Sequence, residues 1–185
     1  MRDSGWTYDE VMLDWAIAEL RSPSWKDNWY GPTCDAWRAK LEAGGINALD
    51  AMERIDLIRA IEQFRRPLIS KCDGPYPSWT FWRASVSQKE LSQFSIVSAF
   101  FTYSASSFDD LSGKIRNQPS HEEESMRAKV VAIQNAARKG QLPIGLPIAI
   151  IREGPMTPLL IEGYKRSMAA LWSGAAVIKM FLCHP

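Results

Sequence analysis

The chain has 185 residues, 46% apolar and 23% charged, with a formal net charge of +1. That balance suits one globular domain, or one domain with a modest extension, and it excludes a global basic field as the basis of nucleic-acid binding, leaving only local patches. Three cysteines, Cys34, Cys72 and Cys183, form no CxxC pair and fit reduced thiols rather than a disulfide framework or a zinc site.

The start, "MRDSGWTYDE", is polar and acidic, so no signal peptide is expected. Thr7 and Glu10 have capping-box spacing, and Val11, Met12, Trp15, Ala16 and Leu20 follow at helical intervals up to a stop at Pro23. "SPSWKDNWYGPT" reads as a turn-rich loop. A second helix is expected from Thr33 to Ala43, stopped by Gly44-Gly45, and a third from Ala48 to Arg65, ended by Pro67. Leu49, Met52, Ile55, Ile58 and Phe64 would line the buried side of the third. Arg65 and Arg66 fall in its last turn, where the helix dipole favours cations; they are read first as a capping feature, with an anion site as the lesser alternative. The eight Trp residues are read first as large packing anchors, with a base-stacking or partner surface as the lesser alternative.

"KCDGPYPSWT", from Lys71 to Thr80, is a Gly/Pro-rich connector and the expected boundary between residues 1–75, a helical extension, and residues 76–185, the main domain. "WTFWRASVS" predicts a strand, and Ser87 to Glu90 ("SQKE") a second capping box that opens a helix. "FSIVSAFFTY" suits either strand or helix. "SSFDDLSGKIRNQP" predicts a short helix closed by Pro119. Ser120 to Gly140 is the clearest helix, acidic in its first turn and basic in its last. Strands are then expected over Leu146 to Arg152, Thr157 to Glu162 and Ala176 to Leu182, with a helix from Gly163 to Ser173 joining the last two. The pattern is α/β or α+β with a small mixed sheet. No apolar run approaches the ~20 residues of a membrane span. A soluble, cytoplasmic protein without membrane insertion is expected.

Familiar catalytic signatures do not occur. "SGKI" at Ser112 to Ile115 is a fragment of a Walker motif without its upstream glycine, and neither GxGxxG nor GxSxG is present. With only His121 and His184, no His-rich metal cluster is expected. Glu122, Glu123 and Glu124 are read as ordinary dipole partners of a helix start.

The stretch that remains is Glu162-Gly163-Tyr164-Lys165-Arg166, which puts two cations at the start of a helix, where the dipole disfavours them. A glycine between strand and helix permits close approach of a ligand, and the first N–H groups of a helix point outward. With Lys165 and Arg166 they would make an anion cradle suited to phosphate. Arg166 would grip two oxygens at once and Lys165 would act as a point charge. The alternative is that both side chains lie in solvent, or that Arg166 pairs with Glu162. The residues alone leave the two readings open.

The run Leu160 to Ala170, followed by Gly174 and the strand Val177 to Phe181, resembles the central motif of the ParB/sulfiredoxin superfamily: strand, glycine, short basic tract with an Arg, helix of small residues, glycine, returning strand. "LPIAIIRE" resembles the strand that leads into it. The match covers Pro143 to Leu182. The resemblance implies a ParB/sulfiredoxin-like small mixed sheet with flanking helices, preceded by the N-terminal helical extension. It implies that Gly163, Tyr164, Lys165 and Arg166 bind ATP or another nucleotide, with Mg2+. Tyr164 and Lys165 stand where sulfiredoxins have a catalytic Cys and a His, so sulfinic-acid reduction is not expected. Partition proteins of the superfamily add a helix-turn-helix domain that these residues do not contain, so centromere binding is not expected either.

A compact fold of this kind behind a helical extension is similar to plasmid fertility-inhibition proteins of the Osa type, which block conjugative DNA export through a type IV secretion system. What this implies is ATP hydrolysis, DNA cleavage, and DNA or secretion and coupling components as partners. A carboxylate would hold Mg2+ or orient water, and Glu162 and Glu153 are the candidates by position. Two alternatives stand beside it. One is a non-catalytic DNA- or protein-binding module, with Trp25, Trp29 and Tyr30 as a contact surface. The other is a serine-type small-metabolite kinase on the same fold.

Overall fold

The computed structural model describes residues 3–21, 32–97, 105–117, 121–138, 145–152 and 157–185. In chain order these form β1 (Asp3–Trp6), α1 (Tyr8–Leu20), α2 (Pro32–Gly44), a 3-10 turn (Gly45–Ala48), α3 (Ala51–Cys72), β2 (Thr80–Ser87) and α4 (Gln88–Ser92). There follow β3 (Ser95–Ile96), α5 (Phe108–Asn117), α6 (His121–Arg138), β4 (Ile148–Ile150), β5 (Leu159–Glu162), α7 (Tyr164–Trp172) and β6 (Val177–His184). The strands make one mixed sheet in the order β1-β2-β6-β4-β5-β3. β2 and β6 form its long antiparallel centre, from Thr80 opposite His184 to Ser87 opposite Val177. β4 runs parallel to β6 and antiparallel to β5, and β3 runs parallel to β5.

Side chains alternate across a strand, so each strand feeds two cores. Phe81, Ile148, Ile150, Ile161, Phe181 and Cys183 face a core built with α1, α2 and α3. Val86, Ala149, Leu160, Ile178, Met180 and Leu182 face a second core built with α4 to α7. The protein is thus a three-layer mixed α/β fold. The segment before residue 76 supplies both an edge strand and the whole helical layer on one face. Among the described residues, no helix is long and apolar enough to cross a membrane.

Four sequence expectations change. First, α3 does not stop at Pro67 but runs through it to Cys72, closing at Asp73 in the left-handed conformation. Pro67 is exposed, while Leu57, Ile61, Leu68 and Cys72 recur at heptad-like spacing and are all buried. Burying the last two outweighs the hydrogen bond lost at proline. Second, the expected apolar set is only partly buried: Leu49, Ile58 and Phe64 are in or against the core, while two others are not. Met52 is 62% exposed and Ile55 41%, on the side away from Leu57 and Ile61. Third, the polar start "DSGW" is a strand. It pairs antiparallel with β2 and carries a register shift between Ser4 and Trp6, with Gly5 at φ 111°. Trp6 anchors it, edge-on to Phe181 at 5.0 Å with Arg83 above the indole. β4 is also shorter than expected. Of the ambiguous "FSIVSAFFTY", Ser95–Ile96 is strand and residues 98–104 lie outside the described residues.

Candidate functional site

β5 ends where Gly163 turns the chain into α7. Gly163 is the N-terminal cap of the helix at φ 87°, ψ 20°, and no side chain caps α7. Glycine is required here twice over. The left-handed conformation disfavours any other residue, and a Cβ would stand 2.7 Å from both Cα and Cβ of Pro147, which leads into β4. The close approach of backbone that the sequence suggested is present, but the partner at that point is Pro147.

Glu162 occupies the space in front of the helix. Its Oε1 accepts the Gly163 N–H at 2.8 Å and lies 3.5 Å from Arg166 Nη2. Its Oε2 lies 3.4 Å from Arg65 Nη2 on α3. The same Arg65 nitrogen binds Oε1 of Glu19, on α1, and that oxygen also accepts the Trp15 indole N–H at 3.2 Å. The Arg65 guanidinium lies over the rings of Phe64 and Trp15, at 5.0 and 5.6 Å from their centroids, within cation–π range of both. Arg166 reaches back toward α1: a Cβ on Gly145 would meet Arg166 Nη1 at 2.6 Å and Ala18 at 2.3 Å. Beside it, Asp14 Oδ2 accepts the Leu146 N–H at 2.7 Å. α1, α3, the approach to β4 and the β5–α7 turn therefore meet in one charge cluster.

Burial sets the electrostatics of the cluster. Glu19, 3% exposed, has its carboxyl raised above the ordinary range, first by burial and then by the nearby Glu162 charge, against the opposing pull of Arg65. Asp14 is raised by burial too, against the Leu146 amide and Arg166. Lys165 is lowered, first by burial and then by the like charge of Lys129 on α6. Glu162 and Glu19 oppose this, and Arg65 adds to it. Asp14, Glu19 and Glu162 thus face Arg65, Lys165 and Arg166, with Lys129 acting on Lys165 from α6.

Tyr164 turns the other way. Its hydroxyl donates to the Leu160 carbonyl and accepts the Val97 N–H at 3.1 Å, pinning the end of β3 to β5. Burial raises its phenol above the ordinary range. The structure thus brings Glu162, Gly163, Lys165 and Arg166 together and directs Tyr164 into the sheet edge. Glu153 lies outside the described residues, as do Trp25, Trp29 and Tyr30.

The sequence reading missed Asp14 and Glu19, and it read Arg65 first as a helix-end cation. Glu19 gave a signal, because it is an acid inside the apolar run Ala16-Ile17-Ala18-Glu19-Leu20, and acids in such places are buried only with a partner. The expected helix end at Pro67 favoured the capping reading of Arg65 over the anion-site one, whereas the helix runs on to Cys72. The site can hold an anion at Lys165 and the Gly163 turn. Its carboxylates, already engaged by amides and guanidiniums, are acceptors that fix position. Among the described residues, no group of three or more His, Cys, Asp or Glu side chains is placed to hold a metal ion. No protein-family model, no curated protein and no solved structure matches this chain.

Proposed function

We propose that the β5–α7 junction binds the phosphate of a nucleotide, with Lys165 and the Gly163 turn as its anchors and Arg166 as the second cation. The observation that carries the reading is the convergence of Arg65, Lys165 and Arg166 on a helix start without a side-chain cap. The depressed Lys165 supports it. Lys129 and Arg65 both work against its charge, and an anion beside it relieves that repulsion. The strand–glycine–basic tract–helix–strand order is the one on which the resemblance to the ParB/sulfiredoxin superfamily rests, and it is the order seen here.

The resemblance extends the proposal to ATP hydrolysis, to DNA cleavage, and to inhibition of conjugative DNA transfer through a type IV secretion system. In this reading Glu162 positions the turn rather than activating water, because both its oxygens are already engaged. The described acids do not fit Mg2+ by themselves. Asp14 holds Leu146, and Glu19 and Glu162 hold Arg65, so no step is routed through a metal. One observation favours a second reading, a non-catalytic DNA- or protein-binding module: the ion pairs of the cluster already knit α1 and α3 to α7.

Thermal shift of the full chain with ATP, ADP, CTP and GTP, with and without Mg2+, separates the two. Nucleotide binding predicts a rise in Tm that is lost in Lys165→Met. No shift with any nucleotide overturns the phosphate reading. A shift without phosphate release from ATP removes hydrolysis and leaves binding.

A further inference from the structure

Glu162 sits in front of α7 as a ligand anion would. Two guanidiniums from separate elements and one backbone amide converge on its carboxylate: Arg65 from α3, Arg166 from α7, and the Gly163 N–H at 2.8 Å. Such a set recognises a carboxylate or phosphate in its own right. Two further features point to a ligand. Glu19, whose Oε1 holds Arg65, has its other oxygen buried with no hydrogen-bond partner among the described residues. Ser167, wholly buried on the first turn of α7, has an Oγ in the same condition. Of the two, Glu19 is tied to the receptor through Arg65, and a free carboxylate oxygen beside bound cations suits an anion that also carries donor groups, which a phosphate ester with free hydroxyls does and a bare halide does not.

We infer that Glu162 is a built-in competitor for this receptor: its carboxylate holds the position that a phosphate takes, and a phosphate must displace it to bind. The inference rests on the phosphate reading above and fixes a sign that the reading alone does not. If Glu162 assisted binding, neutralising it would weaken the complex. As a competitor, it lowers the apparent affinity by the fraction of time it occupies the receptor, so neutralising it strengthens the complex. The side chains involved keep an exposed rim, 14% for Arg65 and Arg166 and 18% for Glu162, through which the exchange takes place.

Calorimetric titration of the full chain with sodium tripolyphosphate and with ATP tests this in wild type, Glu162→Gln and Glu162→Asp. Glu162→Gln is expected to bind about tenfold more tightly, the gain for a competitor in place nine-tenths of the time. Glu162→Asp, whose shorter arm withdraws the carboxylate from the Gly163 amide, is expected to lie between. Equal or weaker binding by a folded variant, with wild type binding, overturns the competitor and leaves the phosphate reading in place. No binding by any of the three overturns both.

A measurement on wild type covers the case in which both variants fail to fold. The Gly163 amide proton exchanges a carboxylate for a phosphate acceptor, so its NMR resonance moves during the titration. A Gly163 resonance that stays fixed while the ligand binds overturns the inference.

Discussion

Four helices of this protein show two kinds of start. α1, α3 and α4 each open with a complete capping box, Thr7 with Glu10, Asp50 with Glu53, and Ser87 with Glu90, in which cap and acid satisfy each other's backbone N–H groups. Those starts are local, their backbone N–H groups met from within the first turn, although Glu53 also binds Lys40 on α2. α7 begins at a left-handed glycine, has cations where the others have an acid, and receives its negative charge from Glu162, a residue before the helix. That acid is in turn held from another layer by Arg65. A start built from tertiary contacts rather than from its own sequence can be reorganised by a ligand, and this is the physical sense in which α7 differs from the other three.

Four substitutions break or sharpen this contrast. Arg65→Met removes the cation shared by the buried Glu19 and the half-buried Glu162 and should cost about 3 kcal/mol in urea unfolding, because each acid is left without that partner. A loss below about 1 kcal/mol would show that the start of α7 does not depend on α3. Gly163→Ala should cost about 3 kcal/mol, from the left-handed backbone and the collision with Pro147. Thr7→Ala, a local cap on α1, should cost about 1 kcal/mol and leave anion binding unchanged.

The smallest effect is read as a slope. The folded chain holds a proton on Glu19 to higher pH than the unfolded chain does. The stability from this group is therefore fully present below the unfolded value and is lost as pH rises through the folded one. Glu19→Gln keeps the acceptor oxygen for Arg65 and Trp15 and should remove that decline. Urea midpoints for the two proteins between about pH 4 and pH 8 should diverge in slope, and parallel curves would contradict the raised Glu19.

Local signals in the sequence were legible and tertiary ones were not. The capping boxes at Thr7 and Ser87 and the strand–glycine–helix–strand order from Leu159 to His184 follow from short-range chemistry, and the fold carries them as read. β1 was illegible because "DSGW" has no alternation of its own; it is a strand only because β2 offers an edge and Phe181 a seat for Trp6. The path of α3 through Pro67 was hidden for the same reason, since Leu68 and Cys72 gain their burial from elements far away in sequence. At the site, the sequence left open whether Arg166 meets an anion or Glu162. The structure pairs it with Glu162, and it adds Asp14, Glu19 and Arg65, whose nearness to Arg166 no spacing rule contains.

The most direct test of the phosphate site is a crystal structure of the full chain grown with ATP and Mg2+. The account predicts phosphate oxygens within hydrogen-bond distance of Lys165 and the Gly163 turn, with the Glu162 carboxylate moved off the Gly163 amide. Nucleotide bound elsewhere on the protein, with Glu162 still in place, would contradict it.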